Sequence, residues 1–377
     1  MKDFSYYLPV RIQFGWDAVD RIGELTAAWG KRALIVAGSG GSARRSGVLK
    51  RIEISLQNQG ITYDVYADVV PNPGFQAVEA GAAAAKAMQA QFVIAVGGGS
   101  VIDCAKGIAF AACNEGFLGD YIKGRERGTK ALPIAAIPTT CGTGSECTPF
   151  AVLTDEEKHD KRALSTRNIL PSLAIIDPGT MTGMPTHVLA AVAFDALCHH
   201  MEAYLSRACS PMTEMQSLYG MQLFSRCARQ IASGMTTEAW EGLAVCSTLG
   251  GMSISLSGVT APHGLEHPLS GLRNVTHGRG LAILTPPIFA RSIEAAPQRF
   301  AAISRALGGT NEQDLIRILQ EIITVLGLSS TLSHEGVQAE DIPWLVKNAM
   351  RSSRGAIMSH PAVFSKEEIQ EIYEACM

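Results

Sequence analysis

Four side chains with metal-binding chemistry lie in the second half of the sequence. Asp195 and His199 stand in FDALCHHMEAY, and His263 and His277 stand in APHGLEHPLSGLRNVTHGRG. The i, i+4 spacing of the first pair places both side chains on one face of a helix, about one turn apart. A carboxylate and an imidazole so placed can share a cation, although an intrahelical hydrogen bond in a packed core would use the same spacing. Five of the nine histidines lie in these two segments, and this clustering favours a metal site.

The elements that would carry these side chains are predicted to be helices. The segment VLAAVAFDALCHHMEAYL contains no Gly or Pro and is rich in Ala, Leu and Met, which is typical of a buried helix. His263 and His267 repeat the i, i+4 spacing, but Pro268 is expected to interrupt the helix there. A turn is expected at Gly278, directly after His277.

Three neighbours of the candidate ligands are assigned other roles. His200 points about 100° away from His199 on a helix and is left out of the site. Cys198, at i+3 from Asp195, is a further ligand candidate, but filling the core is the favoured role. Glu202 is a candidate carboxylate for orienting a ligand imidazole.

Length and composition exclude several classes of protein. A chain of 377 residues exceeds the ~250 to 300 residues that one core usually supports, so two domains are expected. The net charge of −3 argues against a nucleic-acid partner or an anionic membrane surface. No long apolar run and no signal-peptide pattern occurs, and the nine cysteines form no CxxC pair. These features predict a cytoplasmic protein with buried free thiols.

The pattern of residue types in the sequence changes near its middle. Short β-branched runs alternate with Gly-rich turns and helical stretches in the first half, and the predicted strands are residues 33–38, 61–69, 92–99, 133–140 and 173–178, with a crossover helix at 78–90. This alternation is typical of a parallel α/β sheet, and the second half reads as largely α-helical. We therefore expect a Rossmann-like, dinucleotide-binding α/β domain at 1–182 and a helical metal-binding domain at 183–377.

A glycine-rich turn follows one of the predicted strands. In FVIAVGGGSVIDCAKGIA a buried strand runs into Gly97, Gly98, Gly99 and Ser100 and then into an Ala-rich helix. This arrangement allows backbone N–H groups to approach a diphosphate. The turn is neither GxGxxG nor a Walker A loop, and the alternative is a tight connection that binds nothing. Asp103, in the first turn of the helix, could cap that helix or touch a ligand.

A second predicted strand ends in hydroxyl-bearing residues. PIAAIPTT is followed by CGTGSECT, which places Thr139, Thr140, Thr143 and Ser145 at or after the carboxyl end of that strand. Open α/β sheets bind ligands at this edge. Turn chemistry alone would also explain a cluster of Ser and Thr.

Taken in order, GGGSVIDCAK, PTTCGTGSE, the DxxxH of DALCHHMEAY and HGLEHPLSGLRNVTHG resemble the iron-containing (group III) alcohol dehydrogenase family across most of the chain. The resemblance implies a dinucleotide-binding domain and a helical metal domain of the dehydroquinate synthase-like fold, with the active site in the cleft between them. By motif position, it implies that Asp195, His199, His263 and His277 are the metal ligands and that His267 is an additional active-site histidine. It also implies cofactor contacts for Gly97, Gly98, Gly99, Ser100, Asp103, Thr139, Thr140, Thr143 and Lys161.

One departure from the family pattern bears on the cofactor. Many NAD-dependent members carry an Asp at the end of the strand ALIVAG, where this chain has Gly38. The following SGGSARRSG resembles the GGGSxKKxG of the butanol dehydrogenase-like branch, and Ser42, Arg44 and Arg45 could receive a 2'-phosphate. We therefore expect NADP(H) to be preferred, with NAD as the alternative. Both arginines would also fit a solvated helix face.

These parts predict a metal-dependent, NAD(P)H-linked enzyme, and the family resemblance implies that it interconverts primary alcohols with short- to medium-chain aldehydes. A divalent metal held by one carboxylate and three imidazoles would act as a Lewis acid on a substrate oxygen. His267 is the candidate proton relay, since imidazole exchanges protons near neutral pH. Family resemblance favours Fe²⁺, with Zn²⁺ as the alternative, and implies a homodimer or larger homo-oligomer.

Rival functions remain open from the sequence. Maleylacetate reductases transfer hydride without a metal, and the complete Asp/His/His/His set speaks against that reading. Glycerol dehydrogenases share the general architecture. Dehydroquinate synthases share it too, but they are lyases that use zinc and NAD. In a non-enzymatic metal-binding protein, the glycine-rich turn would be incidental.

Overall fold

The computed structural model describes residues 3–377 and divides them into two compact units. The α/β unit comprises residues 8–140 and 144–184, and the helical unit comprises residues 3–7, 141–143 and 185–377. The short segment 141–143 therefore packs with the helices, although the residues on both sides of it in sequence belong to the α/β unit.

The α/β unit is built on a six-stranded parallel sheet with the strand order β1-β8-β5-β4-β2-β3. An antiparallel hairpin of two further strands forms a separate small sheet. The strands are β1 Arg11–Phe14, β2 Arg32–Gly38, β3 Thr62–Val69, β4 Phe92–Gly97, β5 Ile134–Pro138, β6 Phe150–Asp155, β7 Asp160–Ser165 and β8 Leu173–Ile176.

Helices cover both faces of this sheet. They are α1 Ile22–Thr26, α2 Ser42–Arg45, α3 Val48–Asn58, α4 Phe75–Ala87, α5 Gly99–Ala111 and α6 Leu118–Ile122. Alternate residues of each central strand join opposite cores: Leu34 and Val36 pack with α4 and α5, whereas Ala33 and Ile35 pack with α1 and α3. Burial on both faces explains why the central strands read as continuous apolar runs.

The predicted fold class is confirmed, and so are the five predicted strands, with small shifts at their ends. The strand expected at 92–99 ends at Gly97, because α5 already begins at Gly99. The sequence-based reading missed β1 and the β6–β7 hairpin. β1 has only four residues, lies at a sheet edge and is largely exposed, so it lacks the apolar run that identified the others.

The helical unit contains α7 Thr186–Leu205, α8 Pro211–Ser233, α9 Thr237–Ser257, α10 Ala261–Arg273, α11 His277–Ala290, α12 Pro297–Ala306, α13 Asp314–Val325, α14 Ile342–Ser352, α15 Arg354–Ser359 and α16 Lys366–Ala375. Within residues 3–377, no single helix combines the length and apolar composition that a membrane crossing requires. The pair α9 and α10, bent by 103°, meets these two criteria only when both helices are taken together.

Two local expectations for the histidine-bearing helices were wrong. Pro268 does not interrupt its helix, because α10 continues through it to Arg273. Gly278 is not a turn residue: it lies in the first turn of α11, and the left-handed residue that redirects the chain is Asn274, at φ 54°. A Cβ at Gly278 would lie 2.0 Å from the carbonyl oxygen of Ala191, so this glycine allows α11 to approach α7 closely.

Candidate active site

Three imidazoles of the helical unit converge on one carboxylate oxygen. The Nε2 atoms of His199 and His263 lie 3.4 Å from Asp195 Oδ1, and that of His277 lies 3.6 Å from it. Helix α7 carries Asp195 and His199, α10 carries His263, and His277 is the first residue of α11. Three helices, of which α7 is distant in sequence from the other two, thus bring four possible metal-ligand atoms together.

This cluster has buried polar atoms that lack hydrogen bonds. Among residues 3–377, neither Asp195 Oδ1 nor His263 Nε2 has a hydrogen-bond partner, and both residues are almost fully buried. A buried polar atom without a partner costs free energy, and two such atoms facing each other form an arrangement that a cation would stabilise. One carboxylate and three imidazole nitrogens suit a divalent transition metal. The residues present therefore fit such an ion.

The other nitrogen of each imidazole is held by an acceptor. The pairs are His199 Nδ1 with the carbonyl oxygen of Gly142 at 3.2 Å, His263 Nδ1 with Glu202 Oε1 at 2.5 Å, and His277 Nδ1 with Glu266 Oε2. An Nδ1–H donated to a fixed acceptor leaves the Nε2 lone pair facing Asp195, which is the tautomer that a metal ligand requires.

The two orienting carboxylates are themselves fixed. Glu202 and Glu266 are fully buried. Glu202 Oε2 accepts the backbone N–H of Thr260 at 2.6 Å, and Glu266 Oε1 accepts the hydroxyl of Ser270. A carboxylate held on both oxygens cannot rotate, so each imidazole keeps one ring orientation.

The cluster shifts the titration of its members strongly. Burial alone would raise the pKa of Asp195, but the neighbouring imidazoles outweigh it and lower that pKa below its usual range. Burial lowers the pKa of His199 to about 4. Burial also opposes the charge on His263, but Glu202 and Asp195 together raise its pKa. A site that keeps its carboxylates charged attracts cations, and a bound cation would replace the proton on His263.

His267 lies beside the cluster. It lies one turn after His263 on α10, and its ring centroid is 5.9 Å from that of His263 and 5.7 Å from that of His277. Its donor atoms form a second close group with Glu266 and His277, in which each lies within 4.8 Å of the others. His267 is partly exposed.

The neighbours left out of the candidate ligand set have other partners. His200 is fully buried, and its Nε2 lies 2.9 Å from the carbonyl oxygen of Cys246 on α9. Cys198 is buried with its Sγ 3.6 Å from Thr285 Oγ1, and burial raises the pKa of its thiol well above the usual value. Both therefore serve the packing of α7.

The glycine-rich turn lies at the carboxyl end of the parallel sheet. Gly97 ends β4, Gly98 precedes α5, and Gly99 and Ser100 begin that helix. The register places Gly97 beside Pro138, the last residue of β5. A Cβ at Gly97 would lie 2.6 Å from the side chain of Val101, so only glycine allows the strand to enter the helix so sharply.

The threonines after β5 adjoin this turn. The backbone N–H of Thr139 donates to the carbonyl oxygen of Gly97 at 3.0 Å. The side chain of Thr140 lies 3.2 Å from the position that a Cβ would take at Gly98. Thr143 instead belongs to the segment that packs with the helical unit, and Lys161 lies in β7 opposite Thr154. The structure thus brings Thr139 and Thr140 against the glycines.

Asp103 and Lys106 connect α5 to the segment after the threonines. The carboxylate of Asp103 accepts the Ser145 hydroxyl at 2.5 Å and the backbone N–H of Val152 at 2.9 Å. Lys106 is fully buried and donates to three oxygens: Ser145 Oγ at 2.8 Å, Thr148 Oγ1 at 2.9 Å and the Phe150 carbonyl at 2.8 Å. Burial lowers the pKa of Lys106 to about 8. These contacts give Asp103 a supporting role in the α/β unit.

A short helix follows the strand next to β4. β2 ends at Gly38, and α2 begins at Ser42. The side chains of Ser42 and Arg44 are exposed, while the Arg45 guanidinium donates to the carbonyl oxygen of Gly40 at 2.5 Å. Strand order reverses between β2 and β4, and ligands bind open α/β sheets at such a point.

Comparisons with known proteins cover both halves of the chain. The sequence matches the family "Iron-containing alcohol dehydrogenase" over residues 9–178 and "Fe-containing alcohol dehydrogenase family, C-terminal" over residues 189–377. The chain belongs to the iron-containing alcohol dehydrogenase family.

Its relatives within this family match along their whole length. A 1,3-propanediol dehydrogenase of Klebsiella pneumoniae is 34% identical, and the match covers 98% of each chain. An archaeal alcohol dehydrogenase from a Red Sea brine pool is 29% identical, with a TM-score of 0.95 and 100% of each chain covered. An NADH-dependent butanol dehydrogenase A of Thermotoga maritima is 27% identical, with a TM-score of 0.90 and coverage of 100% of this chain and 99% of its own.

The sequence did not predict two of the groups that hold the imidazoles. Glu266 had a signal, because an acidic residue stands between His263 and His267 in the same segment. The carbonyl of Gly142 had none, because backbone acceptors carry no residue type. Glu202 was predicted as an orienting carboxylate, and its bond to His263 has the geometry that this role needs.

Proposed function

We propose that this chain is a metal-dependent, NAD(P)H-linked alcohol dehydrogenase that interconverts primary alcohols with short- to medium-chain aldehydes. The observation that carries the proposal is the convergence of three imidazole Nε2 atoms on Asp195 Oδ1, with two buried atoms of the cluster left without hydrogen bonds. Membership of the alcohol dehydrogenase family supports the oxidoreductase part.

In this proposal the metal ligands are Asp195, His199, His263 and His277. A bound divalent metal, Fe²⁺ by family and Zn²⁺ as the alternative, would supply Lewis acidity toward a substrate oxygen. The chain's own part is to keep the donor set rigid. Glu202 and Glu266 fix two of the imidazole rings, and their charges favour a cation in the cluster.

His267 is proposed as the proton relay. It adjoins the ligand cluster on α10 and is partly exposed, so its imidazole lies within reach of both the site and solvent. Aldehyde reduction consumes one proton for each hydride transferred, and an imidazole exchanges protons near neutral pH. Family resemblance assigns this histidine an active-site role other than that of a metal ligand.

The dinucleotide is proposed to bind at the carboxyl edge of the sheet. The backbone N–H groups of Gly98, Gly99 and Ser100 lie at the amino terminus of α5, and the amino terminus of a helix favours binding of a diphosphate. Gly97, Thr139 and Thr140 would shape the turn beside it. Family resemblance also assigns cofactor contacts to Asp103, Thr143 and Lys161, and Asp103 has the additional task of anchoring β6.

A preference for NADP(H) over NAD(H) is part of the proposal. β2 ends at Gly38 without a carboxylate that would repel a 2'-phosphate, and Ser42 and Arg44 are exposed on the helix that follows. Comparing kcat/KM for NADPH and NADH tests this directly. We expect NADPH to be favoured by at least about tenfold and Arg44→Ala to remove most of that advantage, since one charged hydrogen bond contributes ~1.5 to 3 kcal/mol. An equal or higher value with NADH contradicts the preference.

The enzymatic function is tested by a turnover screen across aldehydes with both cofactors, run beside metal analysis of the purified protein. We expect net oxidation of NADPH or NADH that requires a bound divalent metal and a primary aldehyde. A dehydroquinate synthase-like lyase would show no net cofactor oxidation. Full turnover by metal-free protein would overturn the metal-dependent mechanism and favour a maleylacetate reductase-like reaction.

We also propose a cellular location and an oligomeric state for the enzyme. All nine cysteines are free, which suits the reducing conditions of the cytoplasm. We further propose a homodimer or larger homo-oligomer, on family resemblance. Light scattering on the purified protein would test the assembly, and a monomeric mass would contradict it.

A further inference from the structure

Hydrogen bonds of Thr260 link the candidate metal centre to His360, which directly follows α15 in the helical unit. Glu202, whose other oxygen holds His263, accepts the backbone N–H of Thr260 at 2.6 Å. The hydroxyl oxygen of Thr260 lies 3.0 Å from His360 Nδ1, and His360 Nε2 lies 2.9 Å from the hydroxyl oxygen of Ser292. Every residue that these bonds join is buried.

The His360 ring is held in one place. It stacks between Phe289 and Phe364, with centroid distances of 6.2 and 5.8 Å and interplanar angles of 20° and 27°. The Arg207 guanidinium donates to the His360 carbonyl oxygen at 3.0 Å. Burial lowers the pKa of His360 to about 4, so the ring is neutral at physiological pH. A neutral imidazole has one donor and one acceptor nitrogen, so these hydrogen bonds can take only two arrangements.

In the first arrangement Nε2 of His360 carries the proton. Ser292 then donates to the carbonyl oxygen of Ile288 at 2.7 Å, His360 donates to Ser292 at 2.9 Å, and Thr260 donates to His360 at 3.0 Å. In the second arrangement Nδ1 carries the proton, and the Thr260 hydroxyl must donate to Glu202 Oε2 over 3.3 Å. Hydroxyl donors prefer oxygen acceptors at ~2.7 to 2.8 Å, so the distances favour the first arrangement.

We propose that His360 is a positioning residue for the metal centre: as the acceptor of the Thr260 hydroxyl, it keeps that hydroxyl from donating to Glu202. Glu202 Oε2 then has the Thr260 backbone N–H as its main donor and remains a strong acceptor for His263 through Oε1. A second strong donor would stabilise the carboxylate charge and weaken its pull on the His263 proton. His263 would become a less basic ligand. This inference rests on the proposed metal site.

The test is a double-mutant cycle on Co²⁺ affinity, measured by the visible absorption of the metal added to metal-free protein. His360→Phe keeps an aromatic ring between Phe289 and Phe364 but removes both nitrogens, so the Thr260 hydroxyl turns to Glu202. We expect about tenfold weaker Co²⁺ binding, the lower end of the effect of residues that orient ligands. In a Thr260→Val background the same change should alter the Kd by less than about twofold, because no hydroxyl remains to turn.

His360→Asn serves as the conservative variant. Its side-chain oxygen can accept the Thr260 hydroxyl from nearly the position of Nδ1, so Co²⁺ affinity should return to within about threefold of wild type, the usual scatter of such contributions. An unchanged Kd in His360→Phe, or an equal loss in both backgrounds, overturns the proposal. A purely structural defect would give that equal loss.

The single variant Thr260→Val keeps the question decidable if His360→Phe does not fold. The first arrangement predicts wild-type Co²⁺ affinity, because the hydroxyl does not contact Glu202. Tighter binding would assign the hydroxyl to Glu202 in the wild type and overturn the proposal. Failure of the underlying metal site is recognised separately, since wild-type protein would then bind no Co²⁺ or would bind it equally well after Asp195→Asn.

Discussion

The two candidate sites of this molecule are built by opposite means. In the helical unit, side chains supply the chemistry, and other buried groups hold those side chains, as Glu202 holds His263. In the α/β unit, the turn after β4 offers backbone, and its decisive residues, Gly97 and Gly98, have no side chain. The difference teaches that the metal centre is specified by the chemical identity of its side chains, whereas the glycine-rich turn is specified by the space around its backbone.

The same contrast decides what a substitution should do. At the metal centre, a change of charge or of one nitrogen removes a partner that nothing else replaces. At the glycine-rich turn, a change of volume displaces the backbone without removing any charged group. Because the sites lie in different compact units, we expect variants to damage one function and spare the other.

The largest effect is expected from Asp195→Asn. Loss of the carboxylate charge should abolish metal retention and lower aldehyde reduction by roughly a thousandfold, because Lewis acidity supplies several kcal/mol and ~1.4 kcal/mol is a factor of ten. Metal content and kcat/KM should be measured together. Dinucleotide affinity should stay at the wild-type value.

His200→Asn is the matched control for this variant. His200 lies on the same helix and is fully buried, but its Nε2 lies next to a backbone carbonyl on α9. We expect it to retain metal. Full metal content and turnover in Asp195→Asn would remove Asp195 from the ligand set.

A smaller effect is expected from Gly97→Ala. The added Cβ would lie 2.6 Å from the Val101 side chain, so the first turn of α5 must move. Dinucleotide affinity should fall by about tenfold or more, since displacements near 1 Å cost up to ~100-fold at positioned sites. Metal content should not change. Gly183→Ala is the control, because an added Cβ meets nothing within 4 Å there.

Equal dinucleotide affinity in Gly97→Ala and wild type would contradict the proposed cradle. Loss of metal in that variant would contradict the separation of the two sites.

The third effect is on stability and concerns Lys106, the buried charge on the helix that follows the glycine-rich turn. Its folded-state pKa of about 8 lies below the ~10.4 of an unfolded chain, so the unfolded state binds more protons between these values. Stability should therefore rise with pH in that window, by roughly 1 to 3 kcal/mol, at 1.36 kcal/mol per pKa unit. Lys106→Met should lack this rise. Denaturant midpoints of both proteins at neutral and alkaline pH measure the difference, and parallel pH profiles would show that Lys106 does not titrate there.

The sequence predicted most of the metal centre because that site depends on residue types. Asp195 and His199 share a helical face by spacing alone, and a family motif joined them to His263 and His277. The orienting carbonyl of Gly142 could not be predicted, because a backbone acceptor leaves no mark on the sequence. The link from Glu202 through Thr260 to His360 depends on tertiary packing. Thr260 and His360 are 100 residues apart in the sequence, so their contact could not be predicted from it.

The fold shows the same limit. Strands buried on both faces were predicted from their apolar runs, whereas β1 and the β6–β7 hairpin were not. Gly278 was taken for a turn residue because a glycine that permits close helix packing looks the same in sequence. In each case the sequence does not show which residues from other elements pack against the residue in question.

Anomalous scattering at the metal edge, from crystals of the protein loaded with iron or zinc, tests the central claim most directly. We expect one strong peak about 2.0 to 2.2 Å from a carboxylate oxygen of Asp195 and from the Nε2 atoms of His199, His263 and His277. Peak absence, or a peak held instead by the neighbouring group of Glu266, His267 and His277, would contradict it.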